Sequence, residues 1–228
     1  MGEMVSFAAN GGSAEGWFAK PEGGRGPAVA VIQEWWGLVP HIQELTDRFA
    51  KEGFLALAPD LYHGRKTTSP DEAGRMLMEL DVDRAEREIA GAGDFLLAQP
   101  GAATKSFGVV GFCMGGALAQ FAATKNPKIA AAVSFYGGFK KVHLEWEALE
   151  GAVLLVYGGR DQGVPASQAK PLEEKLKSLG KTVETVVYPE AGHAFFNDHR
   201  PEVYDADAAA DAWGRTVSFL RGHVERSR

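Results

Sequence analysis

The chain has 228 residues, 45% of them hydrophobic, with 24 basic against 30 acidic side chains and a formal net charge of −6. That length and apolar content support one sizeable core, with no basic tract for nucleic acid and no apolar run near the ~18 residues of a membrane span. Its one cysteine, Cys113, excludes an internal disulfide and predicts a reducing, cytoplasmic setting.

The first residues, MGEMVSFAAN, lack the basic start and apolar stretch of a signal peptide. Gly2 and Ser6 fit a loose myristoylation pattern, but MVSFAA reads better as a strand. With AEGWFAK, across NGGS, it predicts a hairpin. PAVAVIQ (27–33) then reads as a buried strand, and PHIQELTDRFAKEG (40–53) as a helix with Ile42, Leu45 and Phe49 on one face and Gly53 to stop it. GFLALAP (53–59) is a second apolar strand, and Asp60 after it belongs to a structural turn. YHGRKTTSPDEAGR (62–75) is the longest irregular polar stretch, an excursion over a site at the strand ends.

The alternation continues with a helix over 83–100, a strand over 106–111, a helix over 115–127 and strands over 129–137 and 152–159. A helix over 165–180 follows, its start delayed or kinked by Pro171. The strand at 182–189 alternates polar and apolar residues, which suits a place nearer a sheet edge. A helix over 209–223 closes the chain. Strands alternating with helices predict a single α/β domain over 1–228, with a mostly parallel sheet and helices on both faces.

Three positions carry chemistry. GFCMGG contains G-x-C-x-G at Gly111, Cys113 and Gly115, the thiol version of a nucleophile elbow, between an apolar strand and a helix. Asp161 follows a later strand in GGRDQGVP, and His193 lies in the loop after one more strand, in PEAGHAFFND. Taken singly, these are a small buried hydrophobe, a turn aspartate and a solvated loop histidine. Together they follow the order nucleophile, acid, base of α/β-hydrolases. In those roles His193 deprotonates the thiol and later protonates a leaving group, while Asp161 fixes the imidazole tautomer.

QEWWG, PDLY, GFCMGG, GGRDQGVP and AGHAFF, within a similarity running from about residue 5 to 220, resemble the dienelactone hydrolase family of α/β-hydrolases. The resemblance implies a triad of Cys113, His193 and Asp161, an acyl-thiol intermediate, and a small cyclic or activated ester as substrate, with no metal or organic cofactor. It implies an oxyanion hole from the backbone N–H groups of Trp35 and Met114. It also implies that Glu34 approaches the thiol. A carboxylate there is expected to keep Cys113 protonated until substrate displaces it.

Well-known members hold a substrate carboxylate with two arginines. Here Asn197 stands four residues after His193, and Pro70 falls at the other position, with Arg200 and Arg75 nearby. An anionic substrate held differently is the expectation. Trp36, Tyr136 and Phe195 are either pocket walls or core. His41, His63, His143, His199 and His223 show no metal-ligand spacing and read as surface or helix-end residues. The expected partner is a small ester or lactone, for a monomer or small homo-oligomer that binds neither nucleic acid nor membrane. Two rival functions are a general short-chain carboxylesterase and a non-catalytic ligand-binding or thiol redox module, in which His193 is dispensable.

Overall fold

A computed structural model of the chain describes residues 1–225. β1 (Glu3–Ala9) and β2 (Gly12–Ala19) form the expected antiparallel hairpin. Its turn residues, Asn10 and Gly11, both have positive φ, as a tight turn matched to the strand twist requires. The hairpin joins β4 (Leu55–Pro59) in antiparallel fashion. Every remaining pairing is parallel, among β3 (Gly26–Ile32), β4, β5 (Ala102–Phe112), β6 (Ile129–Phe135), β7 (Ala152–Gly158) and β8 (Val183–Tyr188). The order across the eight strands is β1-β2-β4-β3-β5-β6-β7-β8, so the alternating segment β8 does form an edge.

Period-two alternation sorts the apolar strand residues to two faces. On one, Ala28, Ala30 and Ile32 of β3 share a core with Ile89 of α3 (Val82–Leu97) and Leu118 of α4 (Met114–Lys125), and the same core runs on to Leu176 of α5 (Ala169–Ser178), which packs on β8. On the other, Val29 and Val31 meet Ile42 and Leu45 of α1 (Pro40–Lys51) and Leu220 of α6 (Ala206–Val224). The central strands are apolar on both faces because both are covered. No helix among the described residues is long and apolar enough to cross a membrane.

One element escapes the sequence pattern. α2 (Pro70–Glu79) lies inside the stretch expected to be irregular. Ser69 caps it by accepting from the Glu72 N–H at 3.5 Å, and Pro70 opens it, where a missing N–H is harmless. Its buried side chains are Ala73 and Met76, too few for a recognisable apolar stripe. Pro171 sits in the first turn of α5 and delays the helix to Ala169. Asp60 does build a turn, accepting from the backbone N–H groups of Tyr62 and Gly64.

Candidate active site

Parallel strands end at the same edge of a sheet, so the loops that follow them converge. Here that edge gathers Glu34 and Trp35 after β3, Cys113 after β5, Asp161 after β7 and His193 after β8.

Cys113 is the residue between β5 and α4, with φ 55° and ψ −119°. A β-carbon makes this conformation costly, by about 1–3 kcal/mol, and the surroundings must enforce it. They do so through backbone bonds: the Cys113 N–H donates to Phe135 O at 3.0 Å, and its carbonyl accepts from Gly116 and Ala117. The side chain is thereby turned out to the cleft, half-buried. Met114 opens α4, so its N–H is one of the first-turn donors that the helix cannot satisfy.

Gly115 explains the closeness of strand and helix. A β-carbon on it would stand 2.5 Å from the carbonyl oxygens of both Ile32 and Gln33. Gly115→Ala is therefore expected to lose about 1–3 kcal/mol of stability in urea unfolding, the usual cost of overpacking. An unchanged midpoint would show that this approach does not constrain the elbow.

Asp161 is buried and accepts three hydrogen bonds. Oδ1 takes the N–H groups of Gly163 and Val164 at 2.8 and 2.9 Å, and Oδ2 faces His193 Nδ1 at 2.7 Å. Burial alone would raise its pKa, but the His193 bond and the backbone donors hold it below the usual carboxylate value. With Nδ1 donating to Asp161, the far side of the His193 ring is left to the thiol. Burial opposes charge on His193, yet the Asp161 bond and the contact with Cys113 outweigh it and lift its pKa to about 10.

Glu34 is buried, and burial pushes its pKa up despite an Asn197 hydrogen bond and the nearby His193 and Arg200 charges. The resemblance implies that this carboxylate approaches the thiol, and Glu34 and Cys113 line the same cleft. One carboxylate oxygen of Glu34 is held by Asn197, whose Nδ2 donates to Oε2 at 2.7 Å.

The cleft over these groups has a volume of about 930 Å³. Trp36 walls it, with its ring 5.0 Å from that of Trp35, and Arg200 lies 5.6 Å above the Trp36 ring. Three of the candidate substrate-binding residues stand outside the cleft. Arg75 is an exposed residue of α2 and does not line the cleft; Leu77, two residues on, does. Phe195 is fully buried in the core between Tyr136 and Tyr188. Tyr136 is also fully buried, so it is no cleft wall, but its ring rests 4.9 Å from that of His193. Asn197 lines a smaller neighbouring cavity of about 370 Å³.

Arg160, Gln162 and Tyr204 complete the rim and were not legible as site residues. The first two flank Asp161 in sequence, which was the available signal. Outside the cleft, one donor atom each of His41, Asp198 and His199 fall within 4.8 Å of one another. His41 opens α1 but is buried rather than exposed, and its Nδ1 meets Asp198 at 3.1 Å. Arg48 already brings a cation to that carboxylate at 3.6 Å, and His199 pairs with Glu44 at 2.9 Å. The cluster ties α1 to the loop after His193.

A family model described as the dienelactone hydrolase family matches residues 14–224. Protein usf of Aquifex pyrophilus is 37% identical over 231 residues, which cover 98% of this chain and all of that one. A protein of Aquifex aeolicus, named a candidate carboxymethylenebutenolidase, is 33% identical over 99% of this chain and all of its own length. Among solved structures, a candidate dienelactone hydrolase from Klebsiella pneumoniae superposes with a TM-score of 0.88 at 28% identity, covering 98% of this chain and 99% of that one.

Proposed function

The chain belongs to the dienelactone hydrolase family and is a hydrolase, and from that premise we propose that it cleaves a small ester or lactone through an acyl-thiol intermediate on Cys113. The observation that carries this reading is one line of groups: Asp161 bonded to His193 Nδ1 at 2.7 Å, with the elbow thiol on the other side of the ring. His193 takes the thiol proton, and the sulfur attacks the substrate carbonyl. The resulting oxyanion sits against the Trp35 and Met114 N–H groups. His193 then protonates the departing alkoxide, which in a lactone stays tethered to the acyl chain. Water, deprotonated by His193, attacks the thioester and releases the acid and the free thiol. A cytoplasmic setting keeps such a nucleophile reduced.

The substrate carries a carboxylate that Arg200 meets beside Trp36. Arg200 now pairs with Glu202 at 2.8 Å, and a substrate carboxylate would compete for it. A panel of lactones and aryl esters tests the reaction class. Within it, a carboxylated ester should exceed its neutral methyl-ester analogue in kcat/KM by about tenfold, the effect of one charge-assisted contact. Arg200→Gln should erase the difference. Equal rates for both esters in the unmodified enzyme would remove Arg200 from the site. Aryl acetates turned over as fast as lactones would decide instead for the rival, a short-chain carboxylesterase.

A further inference from the structure

A buried carboxylate needs donors, and its neighbours compete to supply them. Glu34 and Asn197 are each 2% exposed, so water does not serve either of them freely. The orientation of the Asn197 amide follows from its other bond. Asn197 Oδ1 accepts from the His199 backbone N–H at 3.1 Å, and an N–H can only donate, so the NH₂ end must face Glu34. The residue is also held in place. Its backbone N–H donates to Ala194 O at 2.9 Å, and its carbonyl accepts from Arg200 at 3.0 Å. The next two residues are anchored to α1, Asp198 by His41 and Arg48, and His199 by Glu44.

We propose that Asn197 is a positioning residue: its fixed amide occupies the Glu34 carboxylate, so that Cys113 and His193 stand paired before any substrate arrives. This rests on the reading of Cys113 as the nucleophile, and it replaces gating by Glu34 with a permanently released thiol. Without the amide, Glu34 would be a buried acceptor near His193, drawing a proton that the thiol–imidazole pair needs. Tyr136 bears on the same point. Its buried hydroxyl makes no hydrogen bond to Glu34, although it feels the Glu34 charge, so it has not taken over the role of donor.

The test is alkylation of Cys113 by iodoacetamide in the substrate-free enzyme, which reads thiol reactivity directly. At pH 7 the wild type and Glu34→Gln should react within about twofold of each other, because Glu34 is already disengaged. Asn197→Leu, with the same branched shape but without a donor, should react about tenfold more slowly, with its rate–pH profile displaced upward by about one unit. Adding Glu34→Gln to Asn197→Leu should restore the rate, which a purely structural role would not predict. A wild type that reacts slowly and is accelerated tenfold or more by Glu34→Gln would overturn the proposal. So would Asn197→Leu reacting at the wild-type rate, or a slowing that Glu34→Gln does not rescue. If Asn197→Leu fails to fold, the first comparison decides alone. Failure of the nucleophile reading itself would appear elsewhere, as turnover that survives Cys113→Ala.

Discussion

Cys113→Ala should lower kcat/KM by about 10⁴-fold or more, equivalent to roughly 5.5 kcal/mol of transition-state stabilisation. The elbow has no second nucleophile to substitute, since the chain contains no other cysteine and the residues on either side of it are Phe112 and Met114. Folding should be nearly unaffected. Alanine has the same β-carbon as cysteine and bears the same cost at φ 55°, and the thiol is only half-buried. Quenching a reaction with an activated ester and measuring intact mass should show one acyl group in the wild type and none in the variant. Cys113→Ser should accept the acyl group slowly, because a hydroxyl is much harder to deprotonate than a thiol. Wild-type turnover in Cys113→Ala would end the nucleophile reading, whatever the fold.

The parts of this site that were legible in the sequence are those fixed by local chain geometry. Gly111, Cys113 and Gly115 sit within one strand–turn–helix unit, and Asp161 and His193 each follow a strand closely. Once the strands are parallel, their loops must meet at one edge, so convergence follows from topology without knowledge of any tertiary contact. Glu34 and Trp35 follow β3 at the same edge, but it was the family resemblance that marked them as site residues.

What escaped the sequence depends on contacts between distant segments or on weak local patterns. The Asn197–Glu34 bond spans 163 residues, and nothing near either residue announces the other. The resemblance made Asn197 a departure from an arginine position, whereas its amide has a structural partner of its own. Phe195, two residues before it, shows why aromatics were ambiguous. An aromatic ring in an active-site loop can face the cleft or the core, and the backbone after His193 turns this one into the core beside Tyr188. α2 was missed because it buries little apolar surface. Its start was nonetheless written in Ser69, Pro70 and Glu72, a capping serine and a proline just before an acidic third residue. Recognising it would have separated Leu77, at the cleft, from Arg75, outside it.

The second large effect is expected from the other two members of the triad, and its value lies in their coupling. His193→Ala should reduce kcat by about 10⁴-fold, because both the proton removed from the thiol and the proton given to the leaving group pass through that ring. Asp161→Asn should cost about 10³–10⁴-fold for a different reason. Oδ1 is already committed to the N–H groups of Gly163 and Val164, so an amide at this position keeps its oxygen there and turns its NH₂ toward His193. Facing a donor, Nδ1 must then accept, and the proton moves to the nitrogen that should receive the thiol's. The imidazole is held in the wrong tautomer, and the negative charge that helps raise its pKa to about 10 is gone. Since Asp161 acts only through His193, removing both should cost little more than removing His193 alone. In the double variant, a loss close to that of His193→Ala supports the unit, and a loss equal to the product of the two single losses would show that Asp161 and His193 act independently. Urea unfolding of each variant separates this from stability. Asp161→Asn keeps the Oδ1 bonds that hold its loop, so its midpoint should move far less than its rate.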